Sequence, residues 1–313
     1  MATLRRSRSV IVTGGASGLG KIMSEYFARR GDTVTILDID GVNGPAVAAE
    51  LATFCQRHDD SDSSTDDGSG MNDTEKWIEG GSVSFRRCDI SSWAEQAAAF
   101  KAVYDDVGRV DVVIANAGIS EGGRSWIVPP APGKDASEIE LELELEEPKL
   151  KILDVNLTGN VYSVKLAMYY MLRNAPDAAT GLRGLIICTA SNVGMYPFPP
   201  APLYAASKHA IVGLVRSLGP VYAQPHIGIR INALAPAVLE TNISGTHGLF
   251  KKMVVTPPDT LTSGLWKLLT DTSLTGQVAE IHGNNVTFRP PHDIVDEDSR
   301  HNLEEFARFG YGQ

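Results

Sequence analysis

Two side chains with complementary acid–base chemistry, Tyr204 and Lys208, lie four positions apart in the stretch LYAASKHAIVGLVRS. On a helix this spacing places both on one face, where the ammonium can approach the phenol oxygen. A neighbouring cation favours phenolate, so the pKa of Tyr204 is expected below its usual value of about 10. Ser191 stands 13 residues earlier, at the end of an apolar run, and could hold a substrate oxygen beside the phenol. Taken alone, a helical Tyr and Lys are more often packing and solvent residues.

A second motif, TGGASGLGKIM, follows the β-branched run SVIV and joins a predicted strand to a predicted helix. The first N–H groups of such a helix lack partners and attract an anion. Gly14 permits the tight turn, while Gly18 and Gly20 omit side chains that would keep a pyrophosphate from the backbone and the helix from the sheet. No Gly-Lys-Ser/Thr follows, which excludes a phosphate loop. The motif predicts a dinucleotide site, although glycine triplets also occur in purely structural turns.

Asp38 supports the dinucleotide interpretation and indicates which dinucleotide binds. It ends the second predicted strand, 20 residues after Gly18, where a carboxylate accepts hydrogen bonds from the adenosine ribose hydroxyls. A carboxylate there would repel the 2′-phosphate of NADP, and neither Ser17 nor Ile39 offers a compensating cation. We therefore expect NAD as the cofactor. The positive ring of its oxidised nicotinamide would further favour the phenolate of Tyr204.

Strand patterns alternate with helical patterns along most of the chain, from SVIVTG at the start to LTGQVAEI near the end. This alternation predicts right-handed crossovers and a parallel sheet with helices on both faces. The expected fold is the doubly wound α/β arrangement of a Rossmann fold, with residues 1–313 forming one NAD-binding domain. Long helices are predicted over 149–174 and 204–218.

Two segments interrupt the alternation and are predicted to be surface insertions, at about 58–80 and 121–148. Residues 58–76 are rich in Asp, Ser and Gly and nearly free of apolar side chains, which favours a solvated loop, with an interaction segment as the alternative. Residues 121–149 open with Gly and Pro and then alternate Glu with Leu or Ile. That pattern suits either an edge strand or the start of the next helix.

The composition is that of a globular protein, with 43% hydrophobic and 21% charged residues. The net charge of −10 argues against a nucleic-acid partner, because phosphate binding needs clustered Lys and Arg. No apolar run approaches the ~18 residues of a membrane span, and the N-terminus lacks an apolar signal core. We therefore expect a cytoplasmic protein without membrane contact. The chain has three cysteines, which lie far apart in the sequence: Cys55, Cys88 and Cys188. We expect them to be buried thiols that form no disulfide and bind no metal.

Together these motifs resemble those of the short-chain dehydrogenase/reductase family over roughly residues 8–282. The matching features are the glycine motif from Thr13 to Gly20, NAG at Asn116–Gly118, Asn156 in DVNLTG, Ser191, and Tyr204-x-x-x-Lys208. Because of LYAASKHAIVGLVRS and LTGQVAEI, the chain looks most like the NAD-dependent branch that contains 15-hydroxyprostaglandin dehydrogenase.

The resemblance implies roles for the matching residues. Tyr204 would be the catalytic acid/base and Lys208 would lower its pKa and bind the nicotinamide ribose. Ser191 would orient the substrate, and Asn156 would position a proton-relay water, although a polar helix residue satisfied by backbone is the plainer alternative.

The resemblance also implies a cofactor-binding set. In it Asp89 and Ile90 would flank the adenine, and Thr241 would contact the carboxamide. Asn116 and Gly118 would line the cofactor cleft. The full set is Gly14, Ser17, Gly18, Leu19, Gly20, Asp38, Asp89, Ile90, Asn116, Gly118, Tyr204, Lys208, Pro236, Leu239 and Thr241.

Family members usually pair the helices equivalent to 149–174 and 204–218, so the resemblance implies a homodimer or homotetramer. The apolar faces expected to meet there include Leu166, Tyr170, Ile211 and Leu214.

Two departures from the family pattern concern the substrate. Pro236-Ala237 stands where the family has Pro-Gly, which is tolerated if φ of Ala237 is negative. Ala201 replaces the Gln associated with prostaglandin enzymes, which makes prostaglandin itself doubtful as the substrate. Five apolar residues are expected near the cleft: Met195, Tyr196, Phe198, Leu249 and Phe250. They favour an apolar substrate, although they could equally cover the core or a subunit interface.

The expected function is therefore an NAD-dependent oxidoreductase that interconverts an apolar secondary alcohol and its ketone. One alternative is a ketone reductase of a polyketide or terpenoid pathway, which would use the same residues. Another is a scaffold or cyclase that binds the cofactor without redox turnover. Loss of Tyr204, Lys208 or Ser191 would have favoured this last alternative, and all three are present.

Overall fold

The computed structural model describes residues 7–56, 81–121, 125, 127–128, 146–239 and 252–309. The predicted insertion at 58–80, and most of that at 121–148, therefore lie outside the described residues. The strands are β1 Ser9–Thr13, β2 Thr33–Asp38, β3 Ser82–Arg87, β4 Val112–Ala115, β5 Gly184–Thr189, β6 Ile229–Pro236, β7 Val278–His282 and β8 Asn285–Phe288. The helices are α1 Gly18–Ala28, α2 Gly44–Ala52, α3 Trp93–Val107, the three-part helix α4 (Lys151–Leu153, Asp154–Gly159 and Asn160–Met171), α5 Pro202–Tyr222, α6 Pro258–Thr270 and α7 Glu297–Phe309.

These strands form one sheet in the order β3-β2-β1-β4-β5-β6-β7-β8. β1 to β7 are parallel, and β8 pairs antiparallel with β7. The chain passes from one half of the sheet to the other beside β1, and in such sheets ligands bind at the carboxyl ends of the strands near this point. The prediction of a doubly wound α/β fold is confirmed.

Helices cover both faces because the parallel strands carry apolar side chains on both sides. In β1, Ile11 belongs to one buried cluster with Phe100 of α3, whereas the adjacent Val12 belongs to the opposite cluster with Phe27 of α1. All four side chains are fully buried. This packing fixes the height of the strand ends from which the site residues project.

The prediction that Leu166, Tyr170 and Ile211 form an exposed dimer face was wrong. They are 5%, 8% and 0% exposed and pack into the cluster on the α3–α5 side of the sheet. Leu214 is partly buried against the same cluster. The helical period turns these side chains toward the sheet. Apolar residues that α4 does expose include Val161 and Tyr169, at 38% and 45%.

Three further elements were not among the sequence predictions. Helix α6 begins with Pro258 in its first turn and has Asp259 there too, which are start signals that the sequence does contain. β8 is only four residues long and follows Gly283, whose φ is +50°. α7 is exposed and contributes no buried residue.

Within the described part of the chain, no helix is long and apolar enough to cross a membrane. The three cysteines are free thiols. Burial raises the pKa of Cys88 and Cys188 to about 12, so these two thiols stay protonated and unreactive at neutral pH.

Candidate active site

The glycine loop forms a tight connection between β1 and α1. Gly14 has φ of +64° and Gly18 has φ of +49°, values that favour glycine. A Cβ on Gly20 would overlap the carbonyl oxygen of Gly14 and lie 2.7 Å from Asn116 Nδ2. The side chain of Ser17 makes no capping hydrogen bond to α1, so it leaves the first N–H groups of the helix available to an anion.

Asp38 lies at the carboxyl end of β2 in a fixed orientation. Its Oδ2 accepts a hydrogen bond from Ala16 N at 3.0 Å, and its Oδ1 accepts one from Asp40 N at 3.1 Å. Its partner across the β2–β3 ladder is Arg87, a cation that was not foreseen from the sequence. The Arg87 guanidinium lies 3.5 Å from the carboxylate of Glu95.

Asp89 and Ile90 follow β3 at the same edge of the sheet. Oδ1 of Asp89 accepts hydrogen bonds from the backbone N and the hydroxyl of Ser91. The hydroxyl bond from Ser91 lowers the pKa of Asp89, burial opposes it, and the backbone bond from Ser91 lowers the pKa further. Ile90 is 4% exposed, and a Cβ on Gly159 would meet its side chain at 2.7 Å.

Asn116 joins three strands at their carboxyl ends. Its Nδ2 donates to Thr13 O at 3.1 Å, its backbone N donates to the Thr13 hydroxyl, and its Oδ1 accepts from the Thr189 hydroxyl at 3.0 Å. Two residues on, a Cβ on Gly118 would lie 3.2 Å from Asn156 Oδ1 and 3.5 Å from Lys208 Nζ. This loop therefore passes close to two of the predicted site residues.

Ser191, Tyr204 and Lys208 come together where β5 ends and α5 begins. Lys208 is 3% exposed, and its Nζ donates to Thr189 O at 2.8 Å and lies 5.7 Å from the centre of the Tyr204 ring. The Ser191 side chain lies next to the Tyr204 phenol, close enough to lower its pKa. Ser191 Oγ also donates to Pro236 O at 3.3 Å, which ties β5 to the end of β6.

The charge state of this group differs from the sequence expectation. Burial raises the pKa of Tyr204, and the hydrogen bond from Ser191 only partly offsets it. Burial also lowers the pKa of Lys208, to about 8. Lys208 directs its ammonium to a backbone carbonyl rather than to the phenol, and a desolvated ammonium is costly. In the chain by itself, the expected lowering of the Tyr204 pKa was therefore wrong.

Asn156 lies in a π-helical turn, Asp154–Gly159, inside α4. Its Oδ1 accepts from Ile119 N at 2.8 Å and its Nδ2 donates to Ile119 O at 2.9 Å, so it clamps the loop after β4. π turns are frequent at functional sites. The prediction of one unbroken helix over 149–174 missed this turn, because the pattern of apolar residues does not reveal a single extra residue.

The turn is held by Gln96, a fully buried residue of α3 that sequence reasoning did not single out. Its Nε2 donates to Gly159 O at 2.7 Å and to Ile90 O at 2.5 Å, and its Oε1 accepts from the Ser163 hydroxyl at 2.8 Å. A glutamine on the inner face of a predicted amphipathic helix was the available signal.

Of the remaining cofactor-set residues, Pro236 ends β6 and the others follow it in the sequence. Ala237 N donates to Ile281 O at 2.8 Å, and among the described residues no non-glycine has a positive φ, so alanine fits here as expected. Leu239 is 7% exposed and packs in the α1–α6 cluster. Thr241 lies outside the described residues, as do Leu249 and Phe250.

The segment between β5 and α5, which contains Ser191, carries an exposed apolar rim. Tyr196 and Phe198 are 37% and 38% exposed, and Tyr196 Oη donates to Glu280 at 3.0 Å. Met195 instead packs against the core. Val254, which was not among the apolar residues singled out in the sequence, is 84% exposed.

The fold and these contacts define an α/β protein with a dinucleotide-type loop and a Ser-Tyr-Lys group at one edge of its sheet. A family model for short chain dehydrogenase matches residues 62–249. The chain belongs to the short-chain dehydrogenase/reductase family of oxidoreductases, whose members bind a nicotinamide cofactor.

Similar proteins come from fungi and bacteria. A short-chain dehydrogenase/reductase, prx4, of Penicillium roqueforti is 32% identical over 75% of this chain and 55% of its own length. This chain thus spans little more than half of that relative. The 5′-hydroxyaverantin dehydrogenase of Dothistroma septosporum is 33% identical over 75% of this chain and 68% of its own. A 3-ketoacyl-(acyl-carrier-protein) reductase from Brucella melitensis complexed with NADH shares the fold, with TM-score 0.65, 24% identity, and coverage of 88% and 97%.

Proposed function

We propose that the chain is an NAD-dependent oxidoreductase that interconverts an apolar secondary alcohol and its ketone, with Tyr204 as the acid/base. The observation that carries the proposal is the meeting of Ser191, Tyr204 and Lys208 at the same sheet edge as the glycine loop and Asp38. Each group alone has structural explanations, but their convergence is what hydride transfer at a carbinol carbon requires.

The residues at this edge fit a nicotinamide dinucleotide. The open N-terminus of α1, from Ser17 to Gly20, would hold the pyrophosphate, and Asp38 would accept from the ribose hydroxyls. A side chain at Gly20 would fill the space beside the loop, which accounts for glycine there. The other residues proposed to line the cofactor are Asp89, Ile90, Asn116, Gly118, Pro236, Leu239 and Thr241. When bound, the nicotinamide accepts or supplies the hydride, and its oxidised form adds a positive charge that favours phenolate.

In alcohol oxidation, Tyr204 as phenolate would take the substrate hydroxyl proton while the hydride leaves the same carbon, which gives the ketone and a neutral phenol. Ser191 lies next to the phenol and would hold the substrate oxygen beside it. Lys208 would place its charge next to the phenol and the nicotinamide ribose, and Thr189 O orients its ammonium. In reduction, the same groups work in reverse, with the Tyr204 phenol donating the proton.

Selection of NAD over NADP is proposed from the surroundings of Asp38. Two backbone donors hold its carboxylate in place, so it cannot swing away from a 2′-phosphate. The nearest cation identified there, Arg87, is paired with Glu95. A 2′-phosphate would therefore meet a fixed negative charge.

The proposed substrate class follows from the exposed rim of Tyr196 and Phe198. The relationship to the 15-hydroxyprostaglandin dehydrogenase branch remains part of the proposal and rests on the Leu203–Ser217 stretch. The reductase alternative, acting on a polyketide or terpenoid ketone, is favoured by one observation: burial raises the pKa of Tyr204, which stabilises the protonated phenol that would donate to a ketone oxygen.

The test is to assay a panel of apolar secondary alcohols (menthol, borneol, benzhydrol) and their ketones with NAD(H) and with NADP(H). Turnover is measured as the change in absorbance of the reduced cofactor. Turnover with NAD(H) supports the proposal, and the faster direction distinguishes the dehydrogenase from the reductase. Cofactor binding without turnover of any compound would favour the scaffold alternative.

A further inference from the structure

The backbone of Tyr204 is held at both of its polar atoms by side chains outside the proposed catalytic group. Tyr204 N donates to Glu121 Oε2 at 3.1 Å, across 83 positions of sequence. Tyr204 O accepts from the hydroxyl of Ser207 at 2.7 Å, and Ser207 is fully buried.

Glu121 supplies a cap that α5 lacks locally. The residue before the helix is Ala201, which has no side-chain acceptor, and Pro202 occupies the first helical position. The N–H of Tyr204 is one of the donors that a helix start leaves without an intrahelical partner. A carboxylate at this position satisfies that donor and interacts favourably with the positive end of the helix.

The two contacts belong to one closed ring of hydrogen bonds. Ser207 Oγ accepts from Asn156 Nδ2 at 3.2 Å, and Asn156 clamps both backbone atoms of Ile119. Ile119 precedes Glu121 by two residues, so the ring returns to its start. The start of α5, the π turn of α4 and the loop after β4 are therefore fixed relative to one another.

The other carboxylate oxygen, Glu121 Oε1, is buried and has no hydrogen-bond partner among the described residues. No ion pair in the described part of the chain includes Glu121, so the bond to Tyr204 N is its identified role. A neutral acceptor of the same length could replace the carboxylate in that role.

We propose that Glu121 is a positioning residue, which caps the first turn of α5 from the loop after β4 and so sets the height of the Tyr204 phenol in the cofactor cleft. The inference rests on the proposed function, in which that phenol transfers the proton. A phenol displaced by a frayed first turn would lose proton-transfer geometry while the glycine loop and Asp38 stay intact.

The experiment compares Glu121→Leu, which removes the acceptor, with Glu121→Gln, which keeps one. Asp296→Leu is the matched control, because Asp296 accepts from Ser299 N at 2.8 Å at the start of α7, away from the site. Readouts are kcat with borneol, menthol or benzhydrol and NAD, calorimetric Kd for NAD, and ultraviolet titration of the Tyr204 phenol against a Tyr204→Phe background.

For Glu121→Leu we expect kcat to fall roughly 3- to 30-fold, the equilibrium factor by which loss of a cap would favour a frayed first turn, with Kd for NAD within twofold. Its Tyr204 pKa should return toward the ordinary value as the phenol loses burial. Glu121→Gln and Asp296→Leu should stay within twofold of the parent in every readout. Because the titration needs no turnover, it tests the inference even if the proposed reaction is wrong.

Two outcomes would overturn the inference. One is Glu121→Leu with unchanged kcat and an unchanged Tyr204 titration. The other is Glu121→Gln as impaired as Glu121→Leu, which would assign the effect to charge rather than to capping. Should Glu121→Leu fail to fold, Ser207→Ala opens the ring from its other side and carries the same expectations.

Discussion

Replacing Gln96 with leucine should destabilise the fold and impair the site together, although Gln96 contacts none of the proposed catalytic side chains. Its amide makes three buried hydrogen bonds: to Ile90 O, to Gly159 O and from Ser163. Leucine has a similar volume but can make none of them.

The size of the destabilisation depends on which hydrogen bonds the three partners of Gln96 keep. The Ser163 hydroxyl still donates to Gly159 O at 3.1 Å, so that carbonyl remains satisfied. Ile90 O loses a buried donor, which costs about 1–3 kcal/mol, and each of the other two lost bonds contributes about 0.5–1.5 kcal/mol. Leucine is the more apolar side chain and recovers part of this. We expect the free energy of unfolding to fall by about 2–3 kcal/mol.

Urea denaturation followed by circular dichroism measures this change, with Ser163→Ala as the smaller control at about 1 kcal/mol. Because Gln96 holds the turn that carries Asn156, the folded Gln96→Leu protein should also lose turnover. A Gln96→Leu protein with the parent's unfolding free energy and parent kcat would refute the view that this amide maintains the π turn.

Three further predictions concern the cofactor, the first insertion and assembly. NAD should exceed NADP by more than tenfold in kcat/KM, or about 1.4 kcal/mol, and Asp38→Ala should erode that preference by weakening NAD; equal use by the parent enzyme would contradict it. Replacing residues 58–76 with a short Gly/Ser linker should leave kcat within a few-fold of the parent value. The reason is that Gly81, the first described residue after this segment, lies against the backbone of Gly31 at the amino edge of the sheet, opposite the site. Loss of activity in a folded protein would instead place the segment in the site. Light scattering at micromolar concentration should show at least a dimer, with Tyr169→Glu shifting it toward monomer, whereas a monomeric parent would refute the pairing of α4 and α5.

Much of the fold could be predicted because its signals are local and repeated. The alternation from β1 to β7 and the strand–glycine–helix unit at Gly14–Gly20 depend on sequence patterns of a few residues each. The π turn at Asp154–Gly159 could not, since it reflects how Gly159 packs against Ile90 and how Gln96 meets the freed carbonyl, both distant in sequence. Periodicity also located the apolar faces of α4 and α5 without saying whether they meet the sheet or a second chain.

The candidate site could likewise be predicted only in part from the sequence. The four-residue spacing was enough to predict that Tyr204 and Lys208 share one helix face. The positions of Asp38 and Asn116 after predicted strands were enough to place both at one edge of the sheet. Sequence could not reveal that burial raises the pKa of Tyr204 while Lys208 donates to Thr189 O, because desolvation depends on the whole surrounding structure. Glu121 was equally invisible, since the helix that it caps begins 81 positions later, at Pro202.

The role of Tyr204 as acid/base is tested by measuring kcat of Tyr204→Phe with an alcohol or ketone that the parent enzyme turns over. Phenylalanine keeps the ring and the helix and removes only the hydroxyl that Ser191 contacts. We expect kcat to fall by at least ~10²–10⁴-fold, the usual contribution of general acid–base catalysis, while NADH binds nearly as before. A folded Tyr204→Phe protein with near-parental kcat would contradict that role, because another group would then be moving the proton.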